Sequence, residues 1–269
     1  MMHVAVTTSR QPKQMDLRRA ERYARALAMP YVPRRGASLE KVRQTAEEAL
    51  GQSVVGVLVV RWPQLSIWTP QGTLQYHPNM ALHRVAALRR GEPDVMVQVM
   101  ELQPGERVLD CTAGLASDAV VASHAVGKQG QVVCLESEAP LALLLKVGLR
   151  HYPGQGVTLT QAMRRVRVRC VDYNDALATY APASFTVVYF DPMFTSPVEA
   201  SRGIAPLRPL ANHAPLTTKA IVKACRLATR MVVVKEQRNG PLQTLLEWDE
   251  IRGGRNSGIV YLVKRVGSR

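Results

Sequence analysis

From Glu106 onward, apolar runs rich in β-branched residues alternate with segments of helical periodicity, and this alternation constrains the fold more than any other feature. Such a pattern is typical of a parallel sheet covered by helices on both faces. A glycine pair at 253–254 precedes a last strand and predicts an antiparallel C-terminal hairpin. We therefore predict an α/β fold, a Rossmann-like and mostly parallel sheet. The predicted strands are Arg107 to Cys111, Gln131 to Leu135, Val166 to Val171, Thr186 to Phe190, Met231 to Val234 and Ile259 to Val263, and the predicted helices are Asp118 to Val126, Pro140 to His151 and Leu216 to Thr229.

The first 78 residues have a different pattern, which predicts a small α+β domain. A short strand is followed by two amphipathic helices, then by a strand and a hairpin around residues 69–72. Ser38 and Gly51 are typical of the two ends of the second helix. Residues 79–104 are predicted to form a helical bridge, and residues 105–269 a second, larger domain.

The charge balance indicates a polyanionic partner. There are 35 Lys and Arg residues against 21 Asp and Glu, which gives a formal net charge of +14 and a pI near 10.1. A positive field of this size favours phosphate backbones, although basic composition can also serve solubility alone. We expect RNA as the partner.

Other partners and cellular settings are less favoured by the composition. No apolar run is long enough to predict a membrane span, and no export signal is apparent at the N-terminus, so a cytoplasmic location is expected. The four cysteines have neither paired spacing nor a nearby histidine, so no metal site is predicted. They are Cys111, Cys134, Cys170 and Cys225.

Acidic residues stand where four consecutive strands of the predicted sheet end. Asp110, Glu136, Asp172 and Asp191 occupy these positions. Parallel strands present their carboxyl ends at one edge of a sheet, where open α/β sheets bind nucleotide-like cofactors. Acids at strand exits also cap helices, so this alternative stays open. The turn after Asp110 contains Gly114, where backbone can approach a ligand closely.

The most specific segment is Val187-Val-Tyr-Phe-Asp-Pro-Met-Phe194, a buried strand that runs into an Asp-Pro-Met-Phe corner. It is similar to the signature of enzymes that methylate exocyclic amines of bases. Asp191 and the carbonyl of Pro192 can accept hydrogen bonds from a base amine, and Phe194 can stack on the extruded base. An ordinary strand-to-loop turn is the alternative.

Together, the segments 110–119, 189–194 and 230–235 resemble the bacterial small-subunit ribosomal RNA guanine-N2 methyltransferase family, which has the class I methyltransferase fold and uses S-adenosylmethionine. The resemblance covers about residues 105–242. It implies that Ser117, Asp118, Glu136, Ser137, Asp172, Tyr173 and Asp191 lie at the family's cofactor positions. Asp110 and Gly114, at the end of the first predicted strand and in the turn after it, are also predicted to bind the cofactor. Where the family has Gly-Leu-Gly-Arg-Asp, this chain has Gly-Leu-Ala-Ser-Asp at 114–118. The first 75 or so residues show no clear match to the family.

The sequence thus favours an enzyme that transfers a methyl group from S-adenosylmethionine to an exocyclic base amine in RNA, with a role in rRNA processing. Alternatives are methylation of DNA or another amine, a nicotinamide-dependent oxidoreductase with the same sheet, and a non-catalytic RNA-binding protein. Residues 195–215 are predicted to form a lid over the substrate. Lys235 is expected either to approach substrate phosphate or to extend its charge to solvent.

Overall fold

The computed structural model describes residues 2–153, 156–193, 210–254 and 257–267. Contacts within the chain divide it into two compact units. The first contains the described residues of Met1–His77, Glu138–Pro153 and Val198–Ala211, and the second those of Pro78–Ser137, Gly154–Pro197 and Asn212–Arg269. The segment 79–104 therefore groups with the second unit and residues 138–153 with the first. The predicted domain boundaries stay a prediction.

The first unit contains a four-stranded sheet in the order β1-β2-β3-β4. Its elements are β1 (Val4–Thr8), α1 (Gln14–Leu27), α2 (Leu39–Leu50), β2 (Gly56–Arg61), β3 (Gln64–Thr69), β4 (Gly72–Gln75) and, from later in the chain, α6 (Ala139–His151). β1 is parallel to β2, and the other two pairings are antiparallel. The Ser38 hydroxyl accepts a hydrogen bond from the Lys41 amide (3.1 Å), and Gly51 ends α2 in the left-handed region, so both predicted caps are confirmed.

A close packing contact in the first unit leads to a stability prediction. A Cβ atom at Gly148 in α6 would lie 2.1 Å from the Tyr76 ring. Alanine gains about 1 kcal/mol of helix propensity over glycine, but overpacking costs about 1–3 kcal/mol. A 2.1 Å approach to a buried ring places the overpacking cost in the upper part of this range, so we expect Gly148→Ala to lower the free energy of unfolding by about 1–2 kcal/mol, measured by urea denaturation. Gly258→Ala serves as the control, because a Cβ there meets nothing within 4 Å, and its free energy of unfolding should stay close to that of the unmodified protein. Equal free energies of unfolding for Gly148→Ala and Gly258→Ala would contradict the packing argument.

The second unit contains a seven-stranded sheet in the order β10-β11-β9-β8-β5-β6-β7. Its elements are α3 (Met80–Arg89), α4 (Val95–Val99), β5 (Arg107–Asp110), α5 (Ser117–Val126), β6 (Gln131–Glu136), α7 (Val157–Arg165), β7 (Arg167–Cys170), α8 (Tyr173–Thr179), β8 (Phe185–Phe190), α9 (Thr218–Leu227), β9 (Ala228–Gln237), β10 (Glu250–Arg252) and β11 (Ile259–Arg265). The five strands from β7 to β9 are parallel, whereas β11 is antiparallel to both β9 and β10. The predicted fold class is confirmed.

Side-chain alternation along the central strands separates two faces of this sheet. Leu109, Val188 and Val234 point into a buried apolar cluster that also contains the inner faces of α8 and α9. The neighbouring residues of the same strands point to the opposite face, where α5 contacts β5 and β6. Both faces are thus covered, as the apolar strand sequences predict.

The structure differs from the predicted elements in two respects. The helices α7 and α8 were not predicted, and α9 ends at Leu227 rather than Thr229, because the chain enters β9 directly at Ala228. In the described part of the chain, no helix combines the length and apolar character needed to cross a membrane.

Candidate active site

The carboxyl ends of four parallel strands meet at one edge of the sheet in the second unit. The Cys111 amide donates to the Tyr189 carbonyl (2.8 Å), which joins the ends of β5 and β8. The Ala113 amide donates to Leu135 (3.0 Å), and the Val171 amide donates to Glu136 (3.0 Å), which extends this edge to β6 and β7. The four strand-end acids therefore stand along a single edge.

Strand register places several polar side chains on the face that α5 covers. Asp110 pairs with Tyr189, and Tyr261 pairs with Lys235 in the neighbouring strands. Since residues two apart share a face, Asp191 follows Tyr189 on this same side. These groups converge on Asp118, at the start of α5.

Both carboxylate oxygens of Asp118 accept hydrogen bonds from protein groups. Arg84 Nη1 donates to Oδ1, and Tyr189 Oη donates to Oδ2 (2.7 Å). Lys235 Nζ lies 3.5 Å from the same Oδ2. Arg84 also binds Asp94 through two further nitrogens, at 2.7 and 2.9 Å. Asp118 is thus fixed by a partly buried network of hydrogen bonds and ion pairs.

Asp191 is held at the exit of β8 by two contacts. Lys235 Nζ donates to its Oδ2 (2.8 Å), and its own amide donates to Thr112 Oγ1 (2.5 Å). Burial raises the pKa of Asp191 to about 6, although the adjacent Lys235 cation opposes the increase. This carboxyl group therefore changes its protonation close to neutral pH.

Two charged neighbours of Asp191, Asp118 and Lys235, stay ionised. Burial alone would raise the pKa of Asp118, but Lys235 and Arg84 outweigh it and lower the pKa to about 2. Burial would likewise lower the pKa of Lys235, but Asp118 and Asp191 raise it above its usual value. We call Arg84, Asp94, Asp118, Asp191 and Lys235 the charge cluster. With Asp191 ionised, three carboxylates and two cations leave one net negative charge.

Asp110 has a different character from the other strand-end acids. It is 2% exposed, and burial raises its pKa to about 8, so it is mostly protonated at neutral pH. Its Oδ1 accepts a hydrogen bond from the Thr112 amide (3.0 Å). Asp110 therefore helps to shape the turn after β5, and its contact with a cofactor stays a prediction.

The turn from β5 to α5 contains two residues in the left-handed region. Gly114 has φ 51°, and a Cβ there would have only Thr112 O within 4 Å, at 4.0 Å. Ala116 adopts φ 59° although it has a side chain. The Ser117 hydroxyl donates to the Pro78 carbonyl (3.5 Å). The backbone at Gly114 thus leaves space on its Cβ side where a ligand could approach.

A second polar group lies where β6 and β7 end. Asn212 Nδ2 donates to Ser137 Oγ (3.4 Å) and to Asp172 Oδ2 (3.3 Å), so these two predicted residues are close together. Asp172 also caps α8 through the Asn174 amide (2.8 Å). The ring of Tyr173 packs edge-on against Phe190, with 5.6 Å between the ring centroids.

Glu136 ends β6 at this edge and is partly buried. Pro192 follows Asp191 in irregular backbone. Phe194 and residues 195–209 of the predicted lid lie outside the described residues. The assigned roles of all these residues stay predictions. In the described part of the chain, no group of three or more His, Cys, Asp or Glu side chains could hold a metal ion.

The sheet order and the position of this edge define a class of protein: a Rossmann-like methyltransferase fold. The chain is similar to the solved SAM-dependent methyltransferase NGO1261 of Neisseria gonorrhoeae, with a TM-score of 0.66 and 16% identity over 97% of this chain and 96% of that one. At this identity the similarity supports the fold alone.

Sequence relatives support a more specific assignment. The family described as "Putative SAM-dependent methyltransferase" matches residues 73–247, and the chain belongs to this family. It is 37% identical to protein YpiP of Bacillus subtilis over 88% of this chain and 90% of that protein. It is also 29% identical to ribosomal RNA small subunit methyltransferase J of Dechloromonas aromatica, over 56% of this chain and 62% of that protein. The cofactor is S-adenosylmethionine, and a nicotinamide-dependent oxidoreductase is no longer supported.

Several contacts of the charge cluster were not predicted from the sequence. Arg84 and Asp94 precede the predicted sheet and were placed in a bridge. Lys235 was considered as a phosphate contact or an exposed lysine, but it forms ion pairs with Asp191 and Asp118 instead. Tyr189 and Lys235 are polar side chains near the ends of the otherwise apolar runs of β8 and β9, and this position could have indicated them. No local signal indicated Arg84.

Proposed function

We propose that this protein transfers a methyl group from S-adenosylmethionine to an exocyclic amine of a base in RNA, with guanine N2 of small-subunit ribosomal RNA as the favoured acceptor. The observation that carries the proposal is the position of Asp191: it is partly buried, bound to Lys235, and directly precedes Pro192 at the carboxyl edge of the sheet. The similarity to ribosomal RNA small subunit methyltransferase J and the net charge of +14 support RNA as the substrate.

The groups along this edge have the chemistry that S-adenosylmethionine requires. It supplies the methyl group, which it carries on a positively charged sulfur. Glu136 would accept hydrogen bonds from the ribose hydroxyls, and Asp172 would accept from the adenine amine, with Ser137 and Tyr173 beside them. The turn at Gly114 to Ser117 would approach the cofactor through its backbone. The charge cluster includes Asp118 and Asp191, and its net negative charge favours a cationic ligand. Buried Asp110 would support the turn.

The substrate amine would be oriented by the Asp-Pro-Met-Phe corner. Asp191 accepts a hydrogen bond from the amine, the Pro192 carbonyl accepts a second one, and Phe194 stacks on the base. The amine loses one proton for the methyl group that it gains. Asp191 can accept that proton when it is ionised, since its pKa of about 6 lies close to working pH.

Lys235 acts in this proposal as a positioning residue. Its ammonium group joins Asp191 to Asp118, and Asp118 is itself fixed by Arg84 and Tyr189. The Asp191 carboxylate therefore has one preferred orientation before any substrate arrives. Preorganisation of this kind lowers the cost of reaching the reactive geometry.

Cofactor binding tests the assignment of Glu136. We expect Glu136→Ala to weaken the binding of S-adenosylmethionine and of S-adenosylhomocysteine by about 10- to 100-fold, since hydrogen bonds to a charged group contribute about 1.5–3 kcal/mol. Isothermal titration calorimetry measures the affinity. Glu48→Ala, an exposed acid on α2, is the matched control and should bind both ligands normally. Unchanged affinity in Glu136→Ala would contradict its proposed role.

The substrate is tested in cells that lack the gene. Mass spectrometry of nucleosides from purified small-subunit rRNA should show loss of N2-methylguanosine, and the protein with S-adenosylmethionine should restore it in vitro. Loss of a modified nucleoside from DNA, with rRNA unchanged, would replace RNA by DNA as the substrate. If no nucleoside changes although S-adenosylmethionine binds, methylation of a base amine is wrong.

A further inference from the structure

The basic residues of the first unit are concentrated in one stretch of the chain. Residues 10–35 contain seven arginines and one lysine against two acids, Asp16 and Glu21. Residues 38–77 contain three basic and three acidic residues. The excess positive charge of the first 77 residues therefore comes entirely from α1 and its flanking loops.

Three of these arginines form a stripe on one face of α1. Arg18, Arg22 and Arg25 are exposed and stand at positions i, i+4 and i+7, so they project from the same side of the helix. The opposite face is buried through Ala20 and Tyr23. The stripe is thus presented by a helix whose other side is anchored in the protein.

Within the part of the chain that the structure describes, the arginine stripe forms no ion pair with a carboxylate, unlike many other arginines. Among the described residues, none of Arg18, Arg22 and Arg25 forms an ion pair, whereas Arg43 on α2 binds both Glu40 and Glu47. Exposed arginines are common on protein surfaces, but three of them on one helix face without ion pairs repel one another. Such an arrangement favours an external anion over internal compensation.

The loops beside α1 extend this surface. Arg10 lies close enough to Arg34 to contribute to lowering its pKa, after the larger effect of burial. Arg10, Lys13 and Arg35 are exposed. Two neighbouring guanidinium groups again suit a phosphate, which arginine can bind through two hydrogen bonds.

We infer that the arginine stripe of α1, extended by Arg10, Lys13, Arg34 and Arg35, binds the phosphate backbone of the RNA substrate. This inference rests on the proposed function and adds the surface that holds the RNA independently of the cofactor. An anionic membrane is less suitable as a partner, because membrane-surface helices insert an apolar face, and the apolar face of α1 is buried in the protein.

The test compares the full-length protein with the variant Arg18→Gln/Arg22→Gln/Arg25→Gln. Fluorescence anisotropy with an oligouridine of about 20 nucleotides, without S-adenosylmethionine, measures RNA affinity. We expect binding at about 0.1 M salt to weaken by 10- to 100-fold, and the slope of log K against log salt to decrease by about 2, since each single-strand phosphate contact contributes about 0.7. Arg→Lys at the same three positions should retain most of the affinity.

A dispersed variant controls for net charge. Arg61→Gln/Lys128→Gln/Lys219→Gln removes the same charge from exposed positions on other elements and should bind RNA nearly as the unmodified protein does. Equal affinity losses in the two triple variants would overturn the inference, as would tighter binding to oligothymidine of the same length or to phosphatidylserine vesicles. Methyl transfer is measured separately. If the unmodified protein binds RNA through the stripe but transfers no methyl group, the proposed function is wrong and the inferred RNA-binding surface still holds.

Discussion

Replacing Asp191 with asparagine is expected to lower kcat for methyl transfer by about 100- to 10,000-fold, the range that a positioned proton acceptor contributes. Asparagine has nearly the same size and keeps one oxygen that can accept a hydrogen bond from the amine. It cannot take up a proton, however, and it cannot form an ion pair with Lys235. The measurement is single-turnover incorporation of labelled methyl groups into rRNA from cells that lack the gene.

Two controls separate this effect from damage to the fold or to the cofactor site. Asp175→Asn removes an exposed carboxylate from α8 and should leave the rate unchanged. The affinity of Asp191→Asn for S-adenosylhomocysteine, measured by calorimetry, should stay within a few-fold of the unmodified protein. Near-normal turnover in Asp191→Asn would mean that this carboxylate orients the amine through hydrogen bonding alone and accepts no proton.

The sheet edge could be predicted from the sequence because the governing signals are local. Each strand is an apolar run, and the acids at 136, 172 and 191 follow where these runs end. Parallel strands must present their ends on one side, so the shared edge follows from the strands alone. Ser38 and Gly51 were predictable for the same reason, since a cap depends on its own helix.

The charge cluster could not be predicted, because its members come from distant parts of the sequence. Lys235 reaches Asp191 because β9 lies beside β8 in register, and Arg84 reaches Asp118 across 34 residues of chain. Charges like these have no periodic pattern that marks their partners. Ala116 stands where the family has glycine, and it adopts a φ of 59° within a buried environment although it has a side chain.

The pH dependence of the reaction should reveal the contribution of Lys235. Asp191 must be ionised to accept a proton, so kcat/KM should decrease as pH falls through about 6. Lys235 stabilises the ionised form, as does Arg84, whereas burial and the neighbouring Asp118 oppose it. Lys235→Met removes the nearest cation and therefore raises the pKa of Asp191. We expect the acidic limb of the profile to move to higher pH by about 1–3 units, the usual effect of an adjacent opposite charge.

Lys235→Arg keeps the positive charge and should leave the acidic limb close to its original position, even if its larger head group lowers the maximal rate. If Lys235 has a purely structural role, Lys235→Met should reduce kcat/KM by the same factor at every pH. If the ion pair with Asp191 matters, Lys235→Met should reduce kcat/KM most at low pH. The profile of Asp191→Asn should have no acidic limb. Profiles of kcat/KM between about pH 5 and 9 for the three variants, with urea denaturation at each pH to confirm folding, distinguish these cases. An unshifted acidic limb in Lys235→Met would show that this lysine does not control the protonation of Asp191. Removal of a cation 2.8 Å from a partly buried carboxylate must change the pKa of that carboxylate, and the profile moves with it if Asp191 determines the profile.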